Sequence, residues 1–280
     1  MRRSLLTAVF AMCLASQSWA LDGWVEASDD ATTNWSQGYV EASAQGTSRY
    51  MGNRVQEELM AKQAARTTAQ ARLLEIIKGI RLTGLTTIGT HGAGDTRAAT
   101  RIKGTLRGAR AIDEKITWHK DSSSRRGEVV MAEVTMRVCI SPACQDTKQN
   151  LTNASLDLKP TAPQTTPKAP ASTSRYSAVI IDLEQAMYLP ALAPQVINEK
   201  QEMVYSQDSV DPAAVMEKGL IHYSKSVEKA KTLEITGENP LVVSALRISK
   251  DNQIVLSNKD AQMMRPLEAV KQGRLIVALD

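Results

Sequence analysis

Aromatic side chains are scarce in this sequence, with one Phe, four Trp and six Tyr among 280 residues. Packing must rely on Val, Ile, Leu, Met and Ala, and the basic residues are not interleaved with aromatics. That removes the stacking platform on which single-stranded nucleic acid is bound. Charge of one sign is missing too. The net charge is +4, and Arg2 and Arg3 at the extreme N-terminus supply two of those charges. Such a balance does not announce a nucleic-acid surface. The three histidines, His91, His119 and His222, never pair at i+3 or i+4. No cysteine or carboxylate cluster completes a metal-ligand pattern around them, so neither a metal nor a cofactor is expected.

Nucleotide and hydrolase motifs are also missing. The stretch 89–112, "GTHGAGDTRAATRIKGTLRGARAI", is rich in glycine and arginine. It lacks the G-x-x-x-x-G-K-[ST] of a P-loop, and Arg97 stands where a dinucleotide fingerprint needs its third glycine. These glycines are therefore expected to serve turns and helix stops. No G-x-S-x-G elbow occurs. Asp182 and Glu184 end the apolar run "VIIDLE", where some enzymes place catalytic acids, but a strand-end aspartate more commonly caps a turn. No catalytic residue is assigned.

The N-terminus has the layout of a cleavable signal peptide over 1–20. Arg2 and Arg3 form its charged region, Leu5 to Ala15 its apolar region and Ser18-Trp19-Ala20 its small-residue cleavage site. The apolar run is about 11 residues, short of the ~20 that span a bilayer. Cys13 is the candidate for lipid modification, but Phe10, Ala11 and Met12 before it do not suit the processing site. Export follows, and export permits disulfides. Cys139 and Cys144, five positions apart around Pro142, suit a structural bridge. Two free thiols, or a metal or redox role, are the alternatives.

Residues 141–174 hold five of the ten prolines and are otherwise mostly Thr, Ser, Ala, Gln and Lys. They cannot bury enough apolar area to offset their ordering entropy. We expect a Pro/Thr-rich linker whose Lys159–Ser174 part extends roughly 50 Å. It separates one domain at 21–140 from another at 175–280.

In the first domain, "YVEASAQG" (39–46) is expected to be a strand, followed by a helix over about 57–78. Ala61, Ala65, Ala69, Leu73 and Ile77 recur at i+4 on its inner face, and Gly79 occupies the left-handed stop. Asp95 is placed to cap a second helix carrying Ala98, Ala99, Ile102 and Leu106. Ile112, Ile116 and Trp118 then share a strand face, with Glu114 the exception. After a polar turn ending at Gly127, Val130, Ala132, Val134, Met136, Val138 and Ile140 line another. In the second domain we expect a strand "YSAVIIDL", a hairpin turning at 199–201 and a helix from Pro212 to Gly219. A second hairpin over 240–258 turns at Asp251-Asn252, a helix is broken at Pro266, and "RLIVALD" closes as a strand. The expected class is α+β: two small domains, each an antiparallel sheet with helices packed on one face.

The order "GYVEASAQG", "AKQAARTTAQARLLEIIKGIRL", "IKGTLRGARAIDEK" and "GEVVMAEVTMRV" resembles the twenty-kilodalton envelope lipoprotein family over residues 38–140. That family is FlgP-like and similar to the N-terminal domain of FlgT. The resemblance implies a small α+β module that assembles into rings or coats near the outer membrane, with no enzymatic activity. Envelope or flagellar proteins and further copies of the chain are the implied partners. The expected protein is structural, periplasmic or outer-membrane associated, with at most peripheral membrane contact and no nucleic acid. The alternative is a periplasmic module that binds a ligand or glycan in a cleft of the C-terminal domain.

Overall fold

The computed structural model describes residues 23–91, 109–142, 144 and 175–279. The expected signal peptide, Cys13, the expected Asp95-capped helix and the Pro-rich tether lie outside these residues, as does the expected turn over Thr90–Gly94 except for Thr90 and His91, which belong to a short helix.

The first half is a five-stranded antiparallel sheet in the order β1 (Val25–Ser28), β2 (Ala31–Asn34), β3 (Tyr39–Thr47), β7 (Glu128–Cys139), β6 (Arg110–Lys120). Helix α1 (Arg54–Gly79) covers one face. The alternation in β7 decides which face: Val130, Ala132, Val134, Met136 and Val138 are buried beneath the helix. Opposite, Glu41 pairs with Arg137 and Ser43 bonds Thr135 at 2.8 Å.

The helix starts because Asn53 Oδ1 accepts the free amides of Val55 and Gln56. Its inner stripe is the expected one, with Ala61, Ala65, Ala69, Leu73 and Ile77 fully buried. The small residues allow close approach. A Cβ on Gly46 of β3 would stand 2.3 Å from Ala65 N and 2.6 Å from Ala61 O. Gly79 ends the helix without a left-handed conformation. Ile80 is the cap, in extended geometry, because the chain passes directly into strand β4 (Arg81–Thr83).

Glu114 ceases to be an exception. A bulge between Ala111 and Asp113 shifts the register of β6, leaving Ile112 exposed. Glu114, paired with Val134 and in phase with Ile116 and Trp118, faces α1, where Lys62 and Arg66 hold it. Arg66, helped by Lys62, keeps that carboxyl below the usual range. Beyond α1, β4 pairs with β5 (Thr86–Thr87), and α2 (Ile88–His91) is a single helical turn.

The second half carries two sheets. One runs β11 (His222–Ser224), β15 (Leu275–Ala278), β8 (Val179–Asp182), β12 (Leu241–Ser244); every pair is parallel. The other runs β10 (Met203–Tyr205), β9 (Val196–Asn198), β14 (Ile254–Leu256), β13 (Arg247–Ile248), with β9 and β14 parallel. The α+β class therefore holds and the first sheet is antiparallel as expected, but the second half departs from the expected antiparallel pairing. Strands β8, β14 and β15 are continuous apolar runs buried on both faces, the mark of parallel strands. On β8 and β15, Val179, Ile181, Leu275 and Val277 face the main core. Ile180, Ile276 and Ala278 pack on α4 (Val227–Lys231). The expected hairpin over 240–258 is confined to β13 and β14, since β12 joins the other sheet. Helix α3 (Pro212–Lys218) stops at Gly219, and Pro266 separates α5 (Asn258–Met264) from α6 (Glu268–Lys271).

Candidate functional site

The two halves meet in a junction that gathers much of the scarce aromatic content. Trp24 and Trp35 from the first half set their rings edge-on to Tyr223 of β11, at 5.3 and 5.8 Å between centroids. Trp24 meets Tyr188 at 6.2 Å. The Tyr223 hydroxyl donates to Ala191 O at 2.7 Å and accepts from Ala191 N at 2.9 Å. Arg81 donates to Pro190 O, while Leu192 N and Ala193 N donate to the carbonyls of Arg81 and Leu82. The 190–193 segment is thus tied along β4. Asn252 completes the seam, bonding both main-chain groups of Leu189 and reaching Gly84 O. One apolar core cluster continues through both halves. Burial pushes the Tyr188 hydroxyl up to about 12 and raises Tyr223 as well, so both phenols stay neutral.

A disulfide joins Cys139 and Cys144. It closes the end of β7 where Ile140 N and Ser141 N donate to Gly38 O. Pro142 lies against Gly219, a Cβ on which would stand 3.2 Å from Pro142 Cδ. Ser141 and Pro142, read as the start of the linker, are therefore packed into the junction.

Beside this seam lies a cleft of about 460 Å³ lined by Ser36, Lys218, His222, Leu233, Glu234, Ile235 and Arg274. His222 Nε2 and Arg274 Nε are buried there without a hydrogen-bond partner. Burial lowers the His222 ring to about 4 despite its bond to the Lys218 main chain. No sequence signal marked this cleft, because its residues come from distant segments.

The other candidate residues stay apart. Asp182 Oδ1 accepts the Glu184 amide at 2.8 Å, and Glu184 is exposed with φ of 48°. The pair shapes a turn after β8. His119 is exposed and bonds Thr117, His91 ends α2, and His222 lies on β11. Among the described residues, no three His, Cys, Asp or Glu side chains gather to hold a metal ion. No described helix is long and apolar enough to cross a membrane.

At the far end of the first half, Glu57 is 3% exposed. It accepts from Met51 N and from Arg126, each at 2.9 Å, and the Met51 amide leads the causes that lower its pKa. Arg126 lies over Tyr50 and Trp118, and Arg54 over Trp118 at 4.8 Å. Around this staple, Val55, Leu59 and Met60 of α1 are 64%, 60% and 52% exposed, with Tyr50 and Met51 beside them.

An α+β protein of two docked units, with a polar cleft beside their seam and an apolar helix end opposite, is what the described residues define. The C-terminal unit is similar to a known family: the model described as the second domain of Treponema pallidum Tp0624 matches residues 178–280. That match lies outside the 38–140 stretch that resembles the envelope lipoproteins. No curated protein matches the chain.

Proposed function

We propose that this chain is a non-enzymatic structural or assembly protein of the bacterial cell envelope, exported to the periplasm and working at the outer membrane or the flagellar base. The observation that carries the reading is the apolar end of α1. Val55 and Leu59 stand one turn apart, with Met60, Tyr50 and Met51 adjacent, all exposed. Apolar side chains grouped in this way on a stapled, buried-carboxylate scaffold mark an interaction surface. The neighbouring β6 edge is a poorer candidate for association. Its bulge and its charged residues, among them Arg110, Asp113, Lys115 and Lys120, blunt edge-to-edge pairing.

A second copy of the chain is the occupant that the envelope-lipoprotein resemblance favours, with heterologous contacts closing a ring. The test is a tagged copy followed by cell fractionation, with motility and envelope integrity assayed in a deletion strain. Envelope fractionation with loss of either phenotype supports the reading. A cytoplasmic copy, or a deletion that leaves both intact, removes it.

A further inference from the structure

We propose that the cleft beside the domain seam binds a small oxyanion that carries its own hydroxyl, its anionic oxygens on Arg274, Lys218 and Ser36 and its hydroxyl given to His222 Nε2. The site is independent of the apolar end of α1, so the assembly reading stands or falls without it.

The donors and acceptors dictate the ligand. Arg274 stands at the start of β15 with its Nε buried and unpartnered, and its Nη1 reaches only Ser177 O at 3.4 Å. Neither Arg274 nor Lys218 makes an ion pair among the described residues. A guanidinium left in this state is a ready-made receptor for an oxyanion. Ser36 Oγ accepts Trp24 N at 2.7 Å, so its hydroxyl hydrogen is left to give.

His222 asks for the opposite. Its ring bonds the Lys218 main chain; with Nε2 unpartnered, that bond belongs to Nδ1–H. The neutral ring therefore presents the Nε2 lone pair, which an anionic oxygen alone would repel and a hydroxyl would satisfy. Buried polar atoms without partners call for such an explanation.

The remaining walls set the body of the ligand. Leu233 and Ile235 offer an apolar side, and Glu234 disfavours a polyanion. A volume of about 460 Å³ suits a small metabolite. Hydrogen phosphate shares the required chemistry with α-hydroxycarboxylates.

The purified protein titrated calorimetrically at neutral pH with inorganic phosphate, lactate, sulfate and acetate separates the possibilities. Phosphate and lactate distinguish the two sources, while sulfate and acetate lack the hydroxyl at that pH. Binding of phosphate or lactate at least about tenfold tighter than its hydroxyl-free counterpart is expected. The Nε2 resonance of His222 should shift on binding. Arg274→Gln and Lys218→Gln should each weaken binding about tenfold or more, and His222→Phe should abolish the preference for the hydroxyl. Lys218 lies at the helix end, so its variant retains the fold if Arg274→Gln does not. No binding at millimolar concentration, no preference in either the phosphate–sulfate or the lactate–acetate pair, or binding unchanged in folded Lys218→Gln would overturn the proposal.

Discussion

His222 lies on β11 with its Nε2 buried and unpartnered, in a cleft that Lys218, Glu234 and Arg274 also line. Burial holds the imidazole neutral down to about 4, against 6.5 in an unfolded chain. Between these values the unfolded chain takes up a proton that the folded one refuses. Stability is therefore present in full above pH 6.5 and falls as the pH drops toward 4. The loss amounts to roughly 2–3 kcal/mol. Lys218 and Arg274 push in the same direction, and Glu234 opposes them. Urea denaturation of the protein and of His222→Gln at pH 7.5 and 4.5 isolates this contribution. The variant should lose less stability on acidification, and equal losses would remove His222 as the cause. Nothing in the sequence set His222 apart from His91 or His119, because its burial depends on segments far along the chain.

Strand β3 and helix α1 meet at a separation set by Gly46 and the alanines it faces. A Cβ at position 46 falls on helix backbone, which cannot rotate out of the way. Gly46→Val should therefore destabilise the protein by about 3 kcal/mol or more, read by denaturant titration. Unchanged stability would mean that the strand and helix are not in this register. The helix, its buried stripe and the β7 face were legible in the sequence because each repeats a local period. Strands β1 and β2, short and polar at 25–28 and 31–34, carried no such signal. The parallel sheet was hidden for another reason. Val179 pairs across to Leu275 and to Leu241, partners too distant for a hairpin pattern to suggest. The bulge near Ile112 was equally invisible, and it explains why Ile112 leaves the face that Glu114, Ile116 and Trp118 share.

The whole molecule depends on how its halves are joined. The prolines of 141–174 led us to expect a linker, but composition does not say whether the units on either side are separate or docked. The structure docks them through Trp24, Trp35, Tyr188 and Tyr223, with Tyr223 satisfying both main-chain groups of Ala191. Tyr223→Phe should leave those groups unpaired and cost about 1–3 kcal/mol. Faster amide exchange over 188–193 should accompany it, and exchange unchanged there would argue against the seam.

Sedimentation of the purified 30.5 kDa chain beside its Leu59→Lys variant tests the proposed assembly role most directly. We expect the native protein to form a discrete oligomer at micromolar concentration and the variant to sediment as a folded monomer. A native protein that stays monomeric throughout, or an oligomer indifferent to the lysine, would contradict the account.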